Sequence, residues 1–172
     1  MNKMLAENVK TVNLLNPKDA TGAAQVGLGV NLKGYARCNI KIITGALSSS
    51  DTMNVTLEQG TAGAGSASAL TGAKALGFSW VWITDASTGI RTKTAVTANT
   101  FAIANTVTAG SVYEIELTAD MLDAANGFVV VQPKISSPGA HATLIAVQAD
   151  CYAARYAGSG AAMLDPLSDT PA

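Results

Sequence analysis

The chain has 172 residues and a mass of 17.4 kDa; 48% of the residues are hydrophobic and only 13% are charged. Soluble globular proteins usually carry about 25% charged residues, so this surface is thinly charged for a solitary monomer. A net charge of −1 argues against nucleic acid as a partner, because phosphate binding requires clustered Lys and Arg. No window approaches the roughly 18 apolar residues that span a bilayer, and no secretory segment is evident, so we expect synthesis in the cytoplasm and no membrane partner.

Apolar and polar residues alternate with a period of two along most of the chain, which is the pattern of half-buried strands. In Tyr35–Thr44, for example, Cys38 and Ile40 share one face while polar residues occupy the other. Two predicted strands, Phe128–Ile135 and Ala142–Tyr156, are more continuously apolar, which predicts central strands covered on both faces. The other predicted strands are Val9–Leu15, Gln25–Leu32, 53–58, Ala75–Thr84, Gly89–Val96 and Val112–Thr118.

Turn signals separate these strands, and the predicted fold is an all-β sandwich or jelly roll. Thr118–Gly127 combines a capping Thr, acidic residues in its first turn and a terminal Gly, which predicts one short helical segment near 118–126. The small residues of Gly60–Gly72 predict a long exposed loop. We expect a single domain over residues 1–157, with an N-terminal arm at roughly 1–8. An extended C-terminal arm over 158–172 is expected to dock on a neighbouring chain.

Residue types that carry catalysis are sparse and form no recognised motif. His141 is the sole histidine, and we interpret it as a loop or strand-start residue. Glu114 and Glu116 alternate with apolar residues and are expected on a solvated strand face. Asp120 or Asp123 would support a glycosidase only if it faced a second carboxylate across a cleft. We therefore expect no enzymatic activity, no cofactor and no metal site.

The two cysteines, Cys38 and Cys151, are far apart in sequence and match no metal-ligand spacing. Cytosolic thiols stay reduced, and Cys packs in cores as a small hydrophobic residue. We expect both residues to be reduced and buried.

Phe78, Trp80 and Trp82 are spaced two residues apart, which places them on one side of a strand as an aromatic stripe. Such a stripe most often belongs to the core. An intersubunit surface and a platform for stacking sugars are the alternatives. As candidate interface residues we take Trp80 and Trp82 together with three apolar residues of the C-terminal arm, Met163, Leu164 and Leu167.

Several segments resemble, in order, the decoration or cement proteins on the capsids of tailed bacteriophages. They are Ala6-Glu-Asn-Val9, Val30-Asn-Leu-Lys-Gly-Tyr35, Val55-Thr-Leu-Glu-Gln-Gly60, then, beyond a Gly/Ala loop, Gly72-Ala-Lys-Ala-Leu76, and further Leu122-Asp-Ala-Ala-Asn-Gly-Phe-Val-Val-Val131 and Arg155-Tyr156. The resemblance spans most of the chain but includes neither the 60–72 loop nor the tail from Gly158. It carries no catalytic residues.

The resemblance implies a β-sandwich on the outer capsid surface of a virion, where it binds the major capsid protein, as a homotrimer, and reinforces the shell. Each added contact between subunits raises the barrier to prying them apart. The aromatic stripe supports an alternative function, a head-fibre or tail-associated module that binds host-surface glycans.

Overall fold

A computed structural model describes residues 8–104, 110–155 and 166–168 of the chain. These residues form an all-β structure, which confirms the predicted fold class. The strands are β1 (Val9–Asp19), β2 (Gln25–Val26), β3 (Val30–Asn31), β4 (Tyr35–Thr44), β5 (Thr52–Gly60), β6 (Lys74–Leu76), β7 (Trp80–Asp85), β8 (Arg91–Ala95), β9 (Thr100–Ala104), β10 (Ser111–Thr118), β11 (Val130–Ile135) and β12 (Leu144–Ala154).

The first sheet has the order β1-β12-β4-β10-β7-β8, and its neighbouring strands are antiparallel. Its central strand β4 has the bounds predicted from the sequence and pairs with β10 and β12 along nearly its whole length. Cys38, Ile40 and Ile42 point into the core and are fully buried. Their polar neighbours point to the opposite face, so β4 contributes polar side chains to the outer face of the sheet.

The second sheet has the order β2-β11-β5-β6, with β3 also paired to β11 and β9 also paired to β5. Strands β2 and β3 lie against different parts of β11, and β6 and β9 lie against different parts of β5. The core fills the space between the two sheets. Val55, Leu57 and Val131 of this sheet are fully buried in the same cluster as Ile40 and Ile115 of the first.

Cys38 and Cys151 are directly opposite each other on β4 and β12. Both are buried free thiols, as predicted, and their sulfur atoms lie 3.8 Å apart. The hydrogen bond from Cys151 and burial raise the pKa of the Cys38 thiol well above its usual value. The protonated, uncharged thiol is therefore the form that suits the core.

Two predicted strands are each divided in the structure. Residues 75–84 contain β6 in the second sheet and β7 in the first, because the chain crosses between the sheets at Gly77–Ser79. Residues 25–32 hold the two short strands β2 and β3, separated by Gly27–Gly29. A Cβ at Gly27 would lie 2.7 Å from the ring of Pro133, so this close approach requires glycine. Strand β9 was not predicted.

Coverage of the two most apolar strands differs from the prediction. Strand β11 is buried on both faces, as expected, but β12 alternates between buried and half-buried residues, so the prediction was wrong for β12. The 61–72 loop supplies the outer cover of β11, because Gln132 donates to the carbonyl oxygens of Ser66 and Ser68. Leu70 of this loop is buried, so the loop is only partly exposed.

Two short 3-10 turns, Ala119–Met121 and Ala124–Asn126, form the predicted helical segment. Gly127 ends the second turn in a left-handed conformation with φ of 78°, which suits glycine. Neither turn, nor any other helix within the described ranges, is long and apolar enough to span a bilayer. The N-terminal arm predicted at 1–8 lies outside the described residues except for Asn8, and only residues 166–168 of the predicted C-terminal arm are described.

Candidate functional site

The aromatic stripe divides between the core and the surface. Phe78 is buried in the core cluster, whereas the side chain of Trp80 is on the outer face of the first sheet and the residue is 48% exposed. Trp82 lies two residues further along β7 and is partly exposed. The core interpretation is therefore wrong for the tryptophans. The physical reason is the crossing at Gly77–Ser79, which breaks the alternation between Phe78 and Trp80.

The adjacent strand β8 places two cations against the indole rings. In the β7–β8 register, Lys93 is opposite Trp82 and Arg91 is opposite Thr84. The Lys93 ammonium lies 4.0 Å from the centre of the Trp80 ring and 5.5 Å from that of Trp82. The Arg91 guanidinium lies 4.6 Å from the centre of the Trp82 ring. These distances are those of cation–π contacts, which fix the rings and partly cover them.

Strand β10, on the other side of β7, contributes two glutamates to the same face. The side chain of Glu114 is 16% exposed and accepts hydrogen bonds from Arg91 at 2.7 Å and from Asn39 at 3.0 Å. Glu116 accepts from Arg37 at 3.0 Å and from the Tyr152 hydroxyl at 2.5 Å. These glutamates were expected simply on a solvated strand face; they are bound in a network across the sheet.

The network also involves β12 and β1. Asp150 of β12 pairs with Lys41 and accepts a hydrogen bond from the Thr11 hydroxyl. Burial and the bond to Glu116 raise the pKa of Tyr152 to about 12, and the same contacts with Tyr152 and Glu116 raise the pKa of Arg37. At neutral pH, the phenol is therefore a donor and the guanidinium is charged.

We call this outer surface the tryptophan face; it comprises Trp80, Trp82, Arg37, Asn39, Arg91, Lys93, Glu114, Glu116, Asp150 and Tyr152. Two shallow grooves cross it. One, of about 300 Å³, is lined by Trp82, Arg91 and Tyr152, and the other, of about 390 Å³, is lined by Trp80, Lys93 and other residues. The grooves are open and the charges beside them are paired with one another, which suits a protein surface better than an enclosed small molecule.

The residue types of the tryptophan face are those that contribute most to protein–protein interfaces. Trp, Tyr and Arg dominate binding energy where they are buried against a partner. The opposite charges here already neutralise one another, so covering them leaves few unpaired charges. The residue types and their pairing are therefore those of a surface suited to a protein partner.

Of the other three candidate interface residues, the structure describes one, Leu167, and it does not lie on this face. Met163 and Leu164 lie outside the described residues. Leu167 is partly buried and packs against the chain's own core. Its neighbour Pro166 accepts a hydrogen bond from the backbone of Asn31 at 2.7 Å. This short segment therefore docks on its own chain, beside the second sheet.

The carboxylates considered for glycoside hydrolysis have other contacts. Asp123 accepts a hydrogen bond from Asn126 at 2.8 Å and lies 3.6 Å from the Lys74 ammonium. Hydrogen bonds, chiefly from Asn126 to Asp123 and from Thr118 to Asp120, lower the pKa of both carboxyls. A general acid needs the opposite shift.

His141 contacts the buried carboxylate of Asp51, with its Nδ1 atom 3.1 Å from both oxygens. Within the described ranges, no group of three or more His, Cys, Asp or Glu residues could hold a metal ion.

Known proteins offer one weak structural match and no match by sequence. No family model matches the chain, and no curated protein matches it by sequence. One solved structure is similar, "Crystal structure of SPBc2 prophage-derived protein YomS", with a TM-score of 0.44 and 8% identity over 84% of this chain and 92% of that one. At this level of similarity, the match assigns no function to this chain.

One sequence pattern could have predicted that cations lie beside the tryptophans. The predicted strands Ala75–Thr84 and Gly89–Val96 are separated by a short turn, which implies a hairpin, and a hairpin places Lys93 beside the two tryptophans. The contributions of Asn39 and Tyr152 depend on the order β12-β4-β10. No local pattern specifies that order, because these strands are distant in sequence.

Proposed function

We propose that the protein is a structural virion protein that binds the outer surface of a phage capsid through its tryptophan face and stabilises the shell. Its partners are the major capsid protein and further copies of itself, as a homotrimer. The observation that carries the proposal is the exposure of Trp80 beside Trp82, Arg91 and Lys93 on the outer face of one sheet. Supporting it is the resemblance of the strand sequences to capsid decoration proteins.

Binding at subunit junctions would stabilise the shell through shared contacts. A protein that covers the junction of several subunits adds contacts that must break before the shell opens. Such a protein needs a rigid, preorganised binding face, since ordering side chains on binding costs free energy. The cation–π contacts and the hydrogen bonds of Glu114 and Glu116 provide this order before binding.

Cosedimentation tests the proposal. Heads purified without the protein are mixed with the purified chain and pelleted, and the bound fraction is measured against concentration. We expect saturable binding at a fixed ratio to the major capsid protein, and heads that resist heating better after binding. Absence of saturable binding to assembled heads would refute the proposal.

Glycan binding is the second candidate, favoured by the 48% exposure of Trp80. Aromatic rings bind sugars by stacking, and an exposed indole offers a face for this. The Lys93 and Arg91 side chains are placed over the indole rings, which disfavours stacking. Glycan-array binding that is lost in Trp82→Ala would support this candidate over the first.

A further inference from the structure

Residues 166–168 occupy a groove beside β3. The backbone N–H of Asn31 donates to the carbonyl oxygen of Pro166 at 2.7 Å, and its side-chain Nδ2 donates to that of Ser168 at 3.0 Å. Asn31 is only 2% exposed. The other edge of β3 is paired with β11, so the segment lies along the edge that the sheet leaves open. Asn31 thus binds the backbone of the segment through two hydrogen bonds.

The opposite wall of the groove is the loop that contains Gly65. Its N–H donates to the carbonyl oxygen of Gly29, while the N–H of Gly29 donates to that of Ser66. Gly65 has φ of +70°, and a Cβ there would lie 2.3 Å from the carbonyl oxygen of Leu167. Glycine therefore makes room for the segment as well as for the turn.

The contacts of the segment combine backbone hydrogen bonds with an apolar anchor. Pro166 is buried, and Leu167 packs against the edge of the core. This is the manner in which proteins bind extended peptides at a sheet edge, where backbone bonds give affinity and side-chain pockets give specificity. All the contacts are non-covalent and come from three consecutive residues, so they are the same whichever copy of the chain supplies the segment.

We propose that this groove accepts the Pro166–Ser168 segment of a second copy, so that neighbouring copies exchange C-terminal arms. The backbone of Arg155 is still bound to the chain, at the carbonyl of Gly34. The ten residues 156–165 that follow can span up to about 36 Å when extended. A globule of this length has a radius of gyration of about 16 Å and hence a width of about 40 Å, so an extended arm is nearly as long as a copy is wide and can reach a groove on the facing side of a touching copy.

Exchange conserves every contact and changes only which chain is joined to the arm. A tethered arm binds its own groove at an effective concentration of roughly millimolar, so self-docking dominates in dilute solution. Copies that are crowded on a shell reach comparable local concentrations. The inference rests on the proposed function to this extent and deepens it, because it names the contact that joins the copies.

Complementation between two full-length variants tests the exchange in solution without a capsid. Gly65→Ala blocks the groove but leaves the arm intact, and Leu167→Asp spoils the arm but leaves the groove intact. Each variant is first shown to be folded by near-UV circular dichroism. If Gly65→Ala does not fold, Asn31→Ala replaces it as the groove variant.

The two variants are mixed at about 100 μM each and examined by native mass spectrometry. We expect at least about tenfold more heterodimer than either homodimer, because the free arm of one variant fills the free groove of the other. Gly72→Ala is the matched control, since Gly72 has a similar φ of +64° in the same loop but a Cβ there would meet only Thr61, at 4.0 Å. Mixed with Leu167→Asp, it should give little heterodimer.

A mixture of the two folded variants with no more heterodimer than the Gly72→Ala control would overturn arm exchange. That result would leave capsid binding, which is measured separately by cosedimentation, unaffected. Conversely, heterodimers from a chain that fails to bind heads would support the exchange and refute the proposed function.

Discussion

Arg91 stacks on Trp82, with its guanidinium carbon 4.6 Å from the ring centre, and at the same time donates to Glu114 at 2.7 Å. One side chain thus holds an indole ring and a carboxylate in fixed positions on the outer face of the sheet. Preorganised aromatic and arginine side chains of this kind are the usual anchors of protein interfaces. Under the proposed function, this pair of contacts would give a thinly charged surface an ordered anchor for its partner.

Replacing Trp82 by Ala should weaken binding to heads by about 30-fold or more, the effect of losing an anchor worth about 2 kcal/mol. The free energy of unfolding should change by less than about 1 kcal/mol, because the ring lies on the outer face. Cosedimentation and urea denaturation measure the two effects. The control is Ile90→Ala, which removes a side chain that is 60% exposed and lies outside the tryptophan face. Equal loss of binding in both variants would contradict the assignment.

Tyr152 should make stability depend on alkaline pH. Its pKa of about 12 in the folded protein exceeds the value near 10 of an unfolded tyrosine. Folding therefore favours the protonated phenol, and this contribution is complete below about pH 10 and is lost as the pH rises from 10 to 12. Urea denaturation should show that the stability difference between the natural chain and Tyr152→Phe shrinks across that window. A difference that stays constant or grows would contradict the network.

Gln132 should contribute strongly to the stability of the 61–72 loop in its docked position. Its Nε2 atom lies within 3.0 Å of the carbonyl oxygens of Gly27 and Ser66 and 2.9 Å from that of Ser68, and the residue is fully buried. Gln132→Leu should cost about 1–3 kcal/mol, because buried carbonyls lose their donor, and should speed amide exchange in the loop. Gln148→Leu is the control, since Gln148 is partly exposed on the outer face and bonds only Asn13 among the contacts described. Similar losses in both variants would show that the buried amide has no special role.

The two cysteines should be inert in the folded protein. Both are buried, and the raised pKa of Cys38 disfavours its reactive thiolate. We expect no reaction with a thiol-specific reagent at about pH 8 until the chain is unfolded in guanidinium, after which both should react. Ser50→Cys, at an exposed position, should react at once and serves as the positive control. Rapid labelling of the natural folded chain would contradict this packing.

Periodicity located β4 to the residue and predicted the fold class, because the polar and apolar sides of β4 follow a strict alternation. It failed at Phe78 and Trp80, where the chain passes from one sheet to the other and the alternation breaks. The stacking of Arg91 and Lys93 on the tryptophans depends on one hairpin, so it could have been predicted from the sequence. The bonds of Glu116 to Arg37 and Tyr152 depend on strand order, which distant residues decide together through the core.

Electron cryomicroscopy of purified virions tests the central claim most directly. We predict density for a β-sandwich of this size on the outside of the head, with the tryptophan face turned toward the major capsid protein and Trp82 covered. Heads that lack such density, or a bound sandwich whose tryptophan face points into solvent, would contradict the account.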